Sequence, residues 1–490
     1  MIRAAVLLAL LSLGAPGCAW NPVSGRPEVV LVSRAQEREM GEKESHEVAD
    51  AMGLVDEPAL VGYVSTVGQR LAEHAPGGDA HYTFHVVDTE EPNAFSLPGG
   101  YIYVSRALLA LMNSEDELAG VVGHEIGHVA ARHAAQRVTR AAPFAVVTGL
   151  GSAVTGIVSP MLGGVVGGIG GVAGSLVLAP YSRGQESEAD RVGQAMAAAA
   201  GWDPAGLSRA LRTLEREEAL HAGEARPSSF FATHPPLPQR VADTAAHAST
   251  LRRGPSHPIA ASPNDFLHKL DGLPIGARPG DGVVDGERFA HPDLGFTLRF
   301  PSGWKLENSR AAVGAAAPAK DAVIVLGSAG EGNDPSEALR ALEKAAKVDL
   351  SSRAERLTIG DLPAVRVTAE ARTDEGPVAL ELTWIAVGGR IYRLVGATSP
   401  RKTETYTRAF RDTAMSFRRL TAAERAGFHE TRLRLVTGKD GETIGQLLAR
   451  TGATAWNPEM TAVANELEPG SKLGQRQTVK VPLSEPYRPR

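Results

Sequence analysis

The stretch that decides the reading of this chain is Ser114–His133, SEDELAGVVGHEIGHVAARH, with His124-Glu125-Ile126-Gly127-His128 at its centre. Ser114 followed by Glu117 is a capping-box start, and the acids Glu115, Asp116 and Glu117 suit the positive end of a helix. The apolar run beyond them continues that helix, so His124 and His128 stand one above the other on a single face. Two imidazoles at this spacing can meet one tetrahedral zinc ion. Glu125, roughly 100° round the helix from His124, comes close enough to polarise a water without being a ligand. Zinc lowers the pKa of such a water toward about 7, and a carboxylate beside it can take the proton and pass it to a leaving amine.

His-Glu-x-x-His is short and arises by chance on ordinary amphipathic helices, so a third ligand decides the matter. His133 is a poor candidate, because its offset from His124 puts it roughly 180° round the helix. The longer motif with a third histidine would need that residue at position 134, which is Ala134. The better match is Glu186-Ser187-Glu188-Ala189-Asp190, within YSRGQESEADRVG, which reads as a second helix. Glu186 and Asp190 share a face there, while Glu188 points to the other side. Glu186 would complete a His-His-Glu site with a water in the fourth position, and Asp190 would orient a ligating imidazole from behind. Without the first motif, the same five residues read better as a solvated acidic helix.

HEIGHVAARH, then SRGQESEADRVG, then THPP at Thr233–Pro236 together resemble the HtpX/BepA-type zinc metallopeptidases, relatives of the CAAX prenyl proteases. Asn21–Gly41, NPVSGRPEVVLVSRAQEREMG, is similar to the opening of the periplasmic, soluble members. The resemblance implies a mainly helical zincin-type peptidase domain with a small edge-strand sheet and one zinc per chain. It implies Glu186 as the third ligand and Arg240 as a further catalytic residue. It also places His234 near the metal, either as an oxyanion stabiliser or as a displaceable extra ligand.

Met1–Cys18 reads as an export signal: Arg3 is a weak positive start, and Ala4–Leu13 is an apolar core too short to span a bilayer. Gly14–Gly17 is then a small-residue approach to Cys18. Cys18 is the only cysteine, so no intramolecular disulfide can form. Ala15-Pro16-Gly17-Cys18 resembles a bacterial lipobox that lacks the usual leucine three residues before the cysteine. Ordinary cleavage leaving a free thiol is the other reading. Lipidation of Cys18 would anchor the chain without a transmembrane helix, and Ala19 after it points, by resemblance, to the periplasmic side of the outer membrane. The net charge of −5 leaves no basic footprint, which argues against nucleic acid as a partner.

A chain of 490 residues has room for two to four domains. The fold class expected is α+β, divided as 1–18 signal, 19–253 peptidase, 254–286 linker, 287–420 α+β accessory domain and 421–490 LysM-like module. In the peptidase part, Ser33–Met52 and Pro58–His74 read as helices and Tyr82–Val87 as a strand. Asn93–Val104 reads as a second strand carrying a bulge or turn at Gly99-Gly100. By resemblance it borders the cleft, where an extended peptide substrate could add through main-chain hydrogen bonds. A plain buried hairpin is the alternative. Ala141–Ser182 carries no charge and is rich in glycine. It reads as a pair of close-packed apolar helices or a lid, with a membrane-touching hairpin also open.

Gly254–Gly286, rich in Pro, Gly and Asp, reads as the linker. Beyond it, GFTLRFPSGW looks weakly like the opening of PsbP-type domains. Alternating strands follow at Ala322–Leu326, Ala364–Ala371, Val378–Ala386 and Ile391–Ala397, with helices at Pro335–Lys347 and Lys402–Ser416. Leu433–Pro482 resembles a LysM module, a type that binds peptidoglycan glycan, although Leu473-Gly474-Gln475 replaces the customary Pro-Gly-Gln. A degenerate packing module is the other reading. Two function classes result. One is a zinc endopeptidase acting on misfolded or misassembled envelope proteins, and the other a non-proteolytic chaperone or scaffold. The joint presence of His124, Glu125, His128, Glu186 and His234 favours the enzyme.

Overall fold

The computed structural model describes residues 18–489 apart from 79, 140–179, 225, 227–228, 237–238 and 374–375. The export signal before Cys18 and nearly all of Ala141–Ser182 lie outside the described residues. The chain forms two compact units. One comprises the described residues up to Gly276 together with Thr431–Ser484, the other Ala277–Glu430 and the residues from Glu485 on.

In the first unit, β1 (Cys18–Asn21) and β2 (Arg26–Val29) pair antiparallel. Helix α1 (Arg34–Met52) starts at Ser33 with a capping box closed by Gln36, and α2 (Pro58–Ala72) starts on a proline, whose fixed φ suits a first helical position. Strands β3 (Thr83–Val87), β4 (Ala94–Leu97) and β5 (Tyr101–Ser105) form a sheet in the order β3-β5-β4. β5 is parallel to β3 and antiparallel to β4. Asn93–Val104 is therefore a hairpin rather than one kinked strand. Gly99 and Gly100 turn with φ of +84° and +100°, and a Cβ on Gly100 would lie 1.9 Å from the His81 carbonyl oxygen. β4 is left at the sheet edge.

α3 (Arg106–Leu111) leads into α4 (Glu115–Ala130), whose N-cap Ser114 accepts from the Glu117 amide. Residues 133–139 are again helical. α5 (Arg183–Ala199), with a Ser182/Gln185 capping box, is followed by α6 (Gly206–Leu220), the single turn α7 (Phe230–Thr233) and α8 (Arg240–Thr250). Val64, Val67 and Leu71 of α2, Leu118, Val122 and Ile126 of α4, and Leu207 and Leu211 of α6 share one buried core.

The expected linker departs from its reading. Pro263–Leu270 is a helix, α9, with Phe266 and Leu270 buried in that same core. Arg106 donates to the carbonyls of Pro274 (3.0 Å) and Gly276 (2.7 Å), pinning the strand of chain beyond it. Pro and Gly mark turns, and a turn-rich segment packs as readily as it swings when apolar side chains lie between the turns.

The second unit is β-rich. β6 (Val283–Asp285), β7 (Arg288–His291), β8 (Phe296–Arg299) and the later β16 (Arg418–Arg419) make an antiparallel sheet in the order β16-β8-β7-β6. The larger sheet joins β9 (Lys305–Asn308), β10 (Ala312–Ala316), β11 (Ala322–Glu331), β12 (Glu355–Ile359), β13 (Leu362–Thr373), β14 (Gly376–Val387) and β15 (Arg390–Thr398). Its order is β12-β13-β14-β15-β11-β10-β9, antiparallel throughout. Side chains alternate across the pleat. On one face Ile324, Ile385 and Leu394 meet Phe410 of α11 (Thr403–Met415), and on the other Val367, Leu382 and Trp384 meet Leu339 of α10 (Pro335–Ala346). A short α12 (Ala422–Ala426) follows β16.

The last segment carries β17 (His429–Thr437), α13 (Ile444–Thr451), α14 (Pro458–Ala464) and β18 (Thr478–Pro486). Instead of standing apart as a terminal module, Thr431–Ser484 belongs to the first unit. The Gly272 amide donates to the Leu433 carbonyl and the Leu433 amide to the Leu273 carbonyl, both at 2.8 Å. Lys480 is fully buried, its Nζ donating to the carbonyls of Ala110 (2.8 Å) and Met112 (2.7 Å), where α3 ends and α4 is about to begin. The sequence gap between these partners, spanned by the whole second unit, is why no local pattern reveals the contact. Among the described residues no helix is long and apolar enough to cross a membrane.

Candidate metal centre

α4 and α5 cross at almost no distance. A Cβ on Gly193 would sit 2.6 Å from the His124 amide nitrogen, one on Gly123 would sit 2.9 Å from the Gly193 oxygen, and one on Gly127 would sit 3.0 Å from the Ala189 oxygen. The glycines put no Cβ between the two backbones there, so the helices bring their side chains to one point. His124 Nε2 and His128 Nε2 are 3.0 Å apart. Glu186 of α5 presents Oε1 3.4 Å from His128 Nε2 and Oε2 3.6 Å from His124 Nε2. His234, just past α7, brings Nδ1 within 3.3 Å of His124 Nε2 and 3.1 Å of Glu186 Oε1. One donor atom from each of these four buried residues lies within 4.8 Å of the others.

Acceptors surround the ring nitrogens turned away from the cluster. His124 Nδ1 lies 2.8 Å from Asp190 Oδ1, and His234 Nε2 lies 3.2 Å from the Ala94 carbonyl oxygen. Both partners only accept, so each of these two nitrogens suits a proton; that leaves His124 Nε2 to turn a lone pair toward the cluster, whereas His234 Nδ1 faces a second acceptor, Glu186 Oε1. Arg240 grips Asp190 with Nε and Nη2 at 2.8 and 2.7 Å. Its Nη1 is 2.9 Å from Glu186 Oε2, an ion pair without the alignment of a hydrogen bond. Burial pushes the His128 imidazole well below its ordinary pKa, and His124 beside it adds to that. Burial alone would raise Glu186, but His234, His128 and His124 outweigh it and hold the carboxyl well below its usual range. Burial likewise opposes a charge on His234, yet Glu186 and Glu125 prevail and raise its pKa.

These residues fit a divalent metal. Zinc bonds of about 2.0–2.2 Å place tetrahedral donors roughly 3.3–3.6 Å apart, and the donors of His124, His128 and Glu186 stand 3.0 to 3.6 Å from one another. Converging lone pairs repel one another unless a cation lies between them. Three buried carboxylates, Glu125, Glu186 and Asp190, face one guanidinium, Arg240, and the raised pKa of His234 answers that excess of negative charge only in part. Burying such charge is costly without a counterion.

The sequence model of the family described as Peptidase family M48 matches residues 58–248. The chain carries an M48 peptidase domain. The Beta-barrel assembly-enhancing protease of Escherichia coli (strain K12) is 30% identical over 257 residues, covering 51% of this chain and 52% of that protein. The Mitochondrial metalloendopeptidase OMA1 of Schizosaccharomyces pombe is 31% identical over 224 residues, covering 45% and 63%. The chain thus spans about half the length of the first of these curated relatives. Among solved structures, cyanobacterial PsbP from Synechocystis sp. PCC 6803 aligns with 29% of the chain at 14% identity, but a TM-score of 0.23 is too low to identify a fold.

The M48 domain gathers His124, Glu125, His128, Glu186, Asp190, His234 and Arg240 at one place. Glu125 is fully buried; neither carboxylate oxygen has a hydrogen bond, and Oε1 is 3.3 Å from His234 Nε2. Arg240 has its guanidinium on the two carboxylates rather than directed at open space.

Sequence reasoning missed three neighbours. Tyr181 stacks on His128 with ring centroids 3.7 Å apart and 19° between planes. Arg137 lies 4.0 Å from the Tyr181 ring centroid, and burial pushes the phenol up to about 12. Phe230 stacks on His234 at 4.5 Å. The third is His133, rejected as a ligand and indeed outside the donor cluster, but 2.8 Å from His128 Nδ1 on the far side of that ring. Tyr181 directly precedes the SRGQESEAD helix start and Phe230 opens the turn that runs into THPP; their closeness to a motif is the one available signal.

Proposed function

We propose that this chain is a zinc-dependent endopeptidase that hydrolyses peptide bonds in misfolded or misassembled proteins of the bacterial envelope. The observation that carries this reading is the buried meeting of His124 Nε2, His128 Nε2 and the Glu186 carboxylate beside an unbonded Glu125. In this reading His124, His128 and Glu186 hold one zinc ion per chain. Asp190 orients His124, and Arg240 aligns Asp190 with Glu186. Bound there, zinc supplies a Lewis acid that polarises a peptide carbonyl and makes water acidic near neutral pH. Glu125 removes a proton from the attacking water and delivers it to the leaving amide nitrogen.

An extended substrate adds along the edge strand β4, where main-chain groups give affinity and side-chain pockets selectivity. His234 donates to Ala94 on that same strand, so a substrate seated there competes with the contact that holds His234 against the cluster. The relative named for β-barrel assembly supports a role in envelope protein quality control, and acylation of Cys18 would hold the chain at the periplasmic face of the outer membrane.

Glu125→Gln tests the mechanism, since it keeps the side chain's shape and touches no ligand. Zinc content by elemental analysis should match wild type while hydrolysis of a casein or peptide substrate falls about 10²- to 10⁴-fold. Full proteolysis by the zinc-loaded variant overturns the role of Glu125. Absent proteolysis by the zinc-loaded wild type would favour the scaffold over the enzyme.

A further inference from the structure

The His128 ring has two nitrogens, and only the neutral form with a bare Nε2 can serve the centre proposed above. His124 solves the same problem with one carboxylate, Asp190, behind its Nδ1. Among the described residues no carboxylate reaches His128 Nδ1. Its neighbour is His133 Nδ1 at 2.8 Å, and His133 Nε2 lies 2.9 Å from Glu188 Oε2. His133 is fully buried, whereas the Glu188 side chain keeps 21% exposure and reaches solvent.

We infer that His133 and Glu188 form a relay that locks His128 in the ring form able to ligate a metal, an inference that rests on the zinc reading. An ionised carboxylate only accepts, so His133 carries its proton on Nε2 and turns a lone pair outward from Nδ1. That lone pair accepts the Nδ1 proton of His128, which leaves His128 Nε2 bare on the side facing His124 and Glu186. The backbone makes the relay. On an unbroken helix residue 133 would stand roughly 140° round from residue 128. Instead α4 ends at Ala130, and Arg132 takes the left-handed φ of 57°, which folds His133 back beneath His128. Arg132 is held in that turn by Glu37 Oε1 (2.8 Å from Nε) and the Val32 carbonyl (2.7 Å from Nη2). His133 and Glu188 are positioning residues, since neither has an atom in the donor cluster.

The test uses the full mature chain carrying Glu125→Gln, so that it cannot digest itself, and measures the zinc dissociation constant by competition with a chromogenic chelator. His133→Leu should weaken zinc about 10- to 100-fold, and Glu188→Ala, which frees His133 to take either ring form, about 3- to 10-fold. His133→Asn places an accepting amide oxygen near the lost Nδ1 and should restore affinity to within about 3-fold of the parent. A merely space-filling histidine predicts the opposite order, with the larger Leu tolerated better than Asn. Imidazole ¹⁵N spectra of the metal-free parent should show His128 protonated at Nδ1, and the Nε2 form would overturn the relay even if the Leu variant fails to fold. Equal zinc affinity for His133→Leu and the parent also overturns it. A parent that binds no zinc removes the metallopeptidase reading itself, so the two failures are told apart.

Discussion

Gly193→Ala tests whether the helix crossing sets the metal geometry. The added Cβ would lie 2.6 Å from the His124 amide nitrogen and 2.7 Å from the Gly123 carbonyl carbon, both backbone atoms that cannot swing aside. Reaching ordinary contact at 3.4 Å requires α4 and α5 to part by about 0.8 Å. The donors come from both helices, so Glu186 moves relative to His124 and His128. The tolerance on ligand distances is only about 0.2 Å. Zinc affinity should therefore drop at least about tenfold in a chelator competition. Overpacking costs about 1–3 kcal/mol, and alanine's better helix propensity offsets about 1 kcal/mol of that. The net expectation is a loss of up to about 2 kcal/mol in denaturant unfolding. Gly184→Ala on the same helix is the control. Its Cβ meets nothing within 4 Å, so stability should hold or rise by up to about 1 kcal/mol with zinc binding intact. If Gly193→Ala binds zinc like the parent and loses no stability, the close crossing does not set the site.

Further outcomes follow from other contacts. His234 Nδ1 lies among the proposed ligands, so His234→Ala should keep its zinc and hydrolyse peptides faster; a fall of about 10²- to 10³-fold would instead make His234 an oxyanion donor. Lys480→Met strips the ammonium from the Ala110 and Met112 carbonyls and should cost about 2–4 kcal/mol in urea unfolding; a loss under about 1 kcal/mol would mean the clasp is slack. Burial pushes Glu117 from 4.5 up to about 7, and Glu466 adds to that. A carboxyl raised in the fold makes the unfolded chain release its proton first, so this group's contribution to stability falls as pH climbs from 4.5 to about 7. Glu117→Gln should lack that fall, and an unchanged pH slope in the variant refutes the assignment. A palmitate analogue should label wild type and not Cys18→Ser; an unlabelled wild type refutes the lipid anchor.

Local order was legible in the residues themselves. Ser33, Ser114 and Ser182 start helices because a hydroxyl can satisfy an amide of the first turn, and the remaining residues of each helix follow a period the eye can read. The strands at Ala322–Glu331, Leu362–Thr373, Gly376–Val387 and Arg390–Thr398 likewise enclose the alternating runs seen in the sequence. Helical spacing puts His124 and His128 on one face and Glu186 with Asp190 on one face of a second helix, while joining the two faces into one site rested on the motifs taken together and on the family they resemble. Glu188 also points away from that face, as spacing required, but toward His133 rather than toward solvent alone.

The tertiary structure decided what lies between distant residues. Gly123 and Gly193 look like poor helix material until their helices meet, where the missing side chain is what permits the crossing. Segment 254–286 looked free because its turns are local, while the burial of Phe266 depends on a core built elsewhere. Residues 431–484 looked appended because Lys480 finds its acceptors at Ala110 and Met112, across the whole intervening unit. His133 was dismissed by extending a helix that in fact ends at Ala130. Periodicity and capping act between residues a few positions apart and are therefore written in the sequence. A donor's acceptor, or a glycine's facing backbone, is chosen only when the chain has folded, because nothing local distinguishes the residue that will stand opposite.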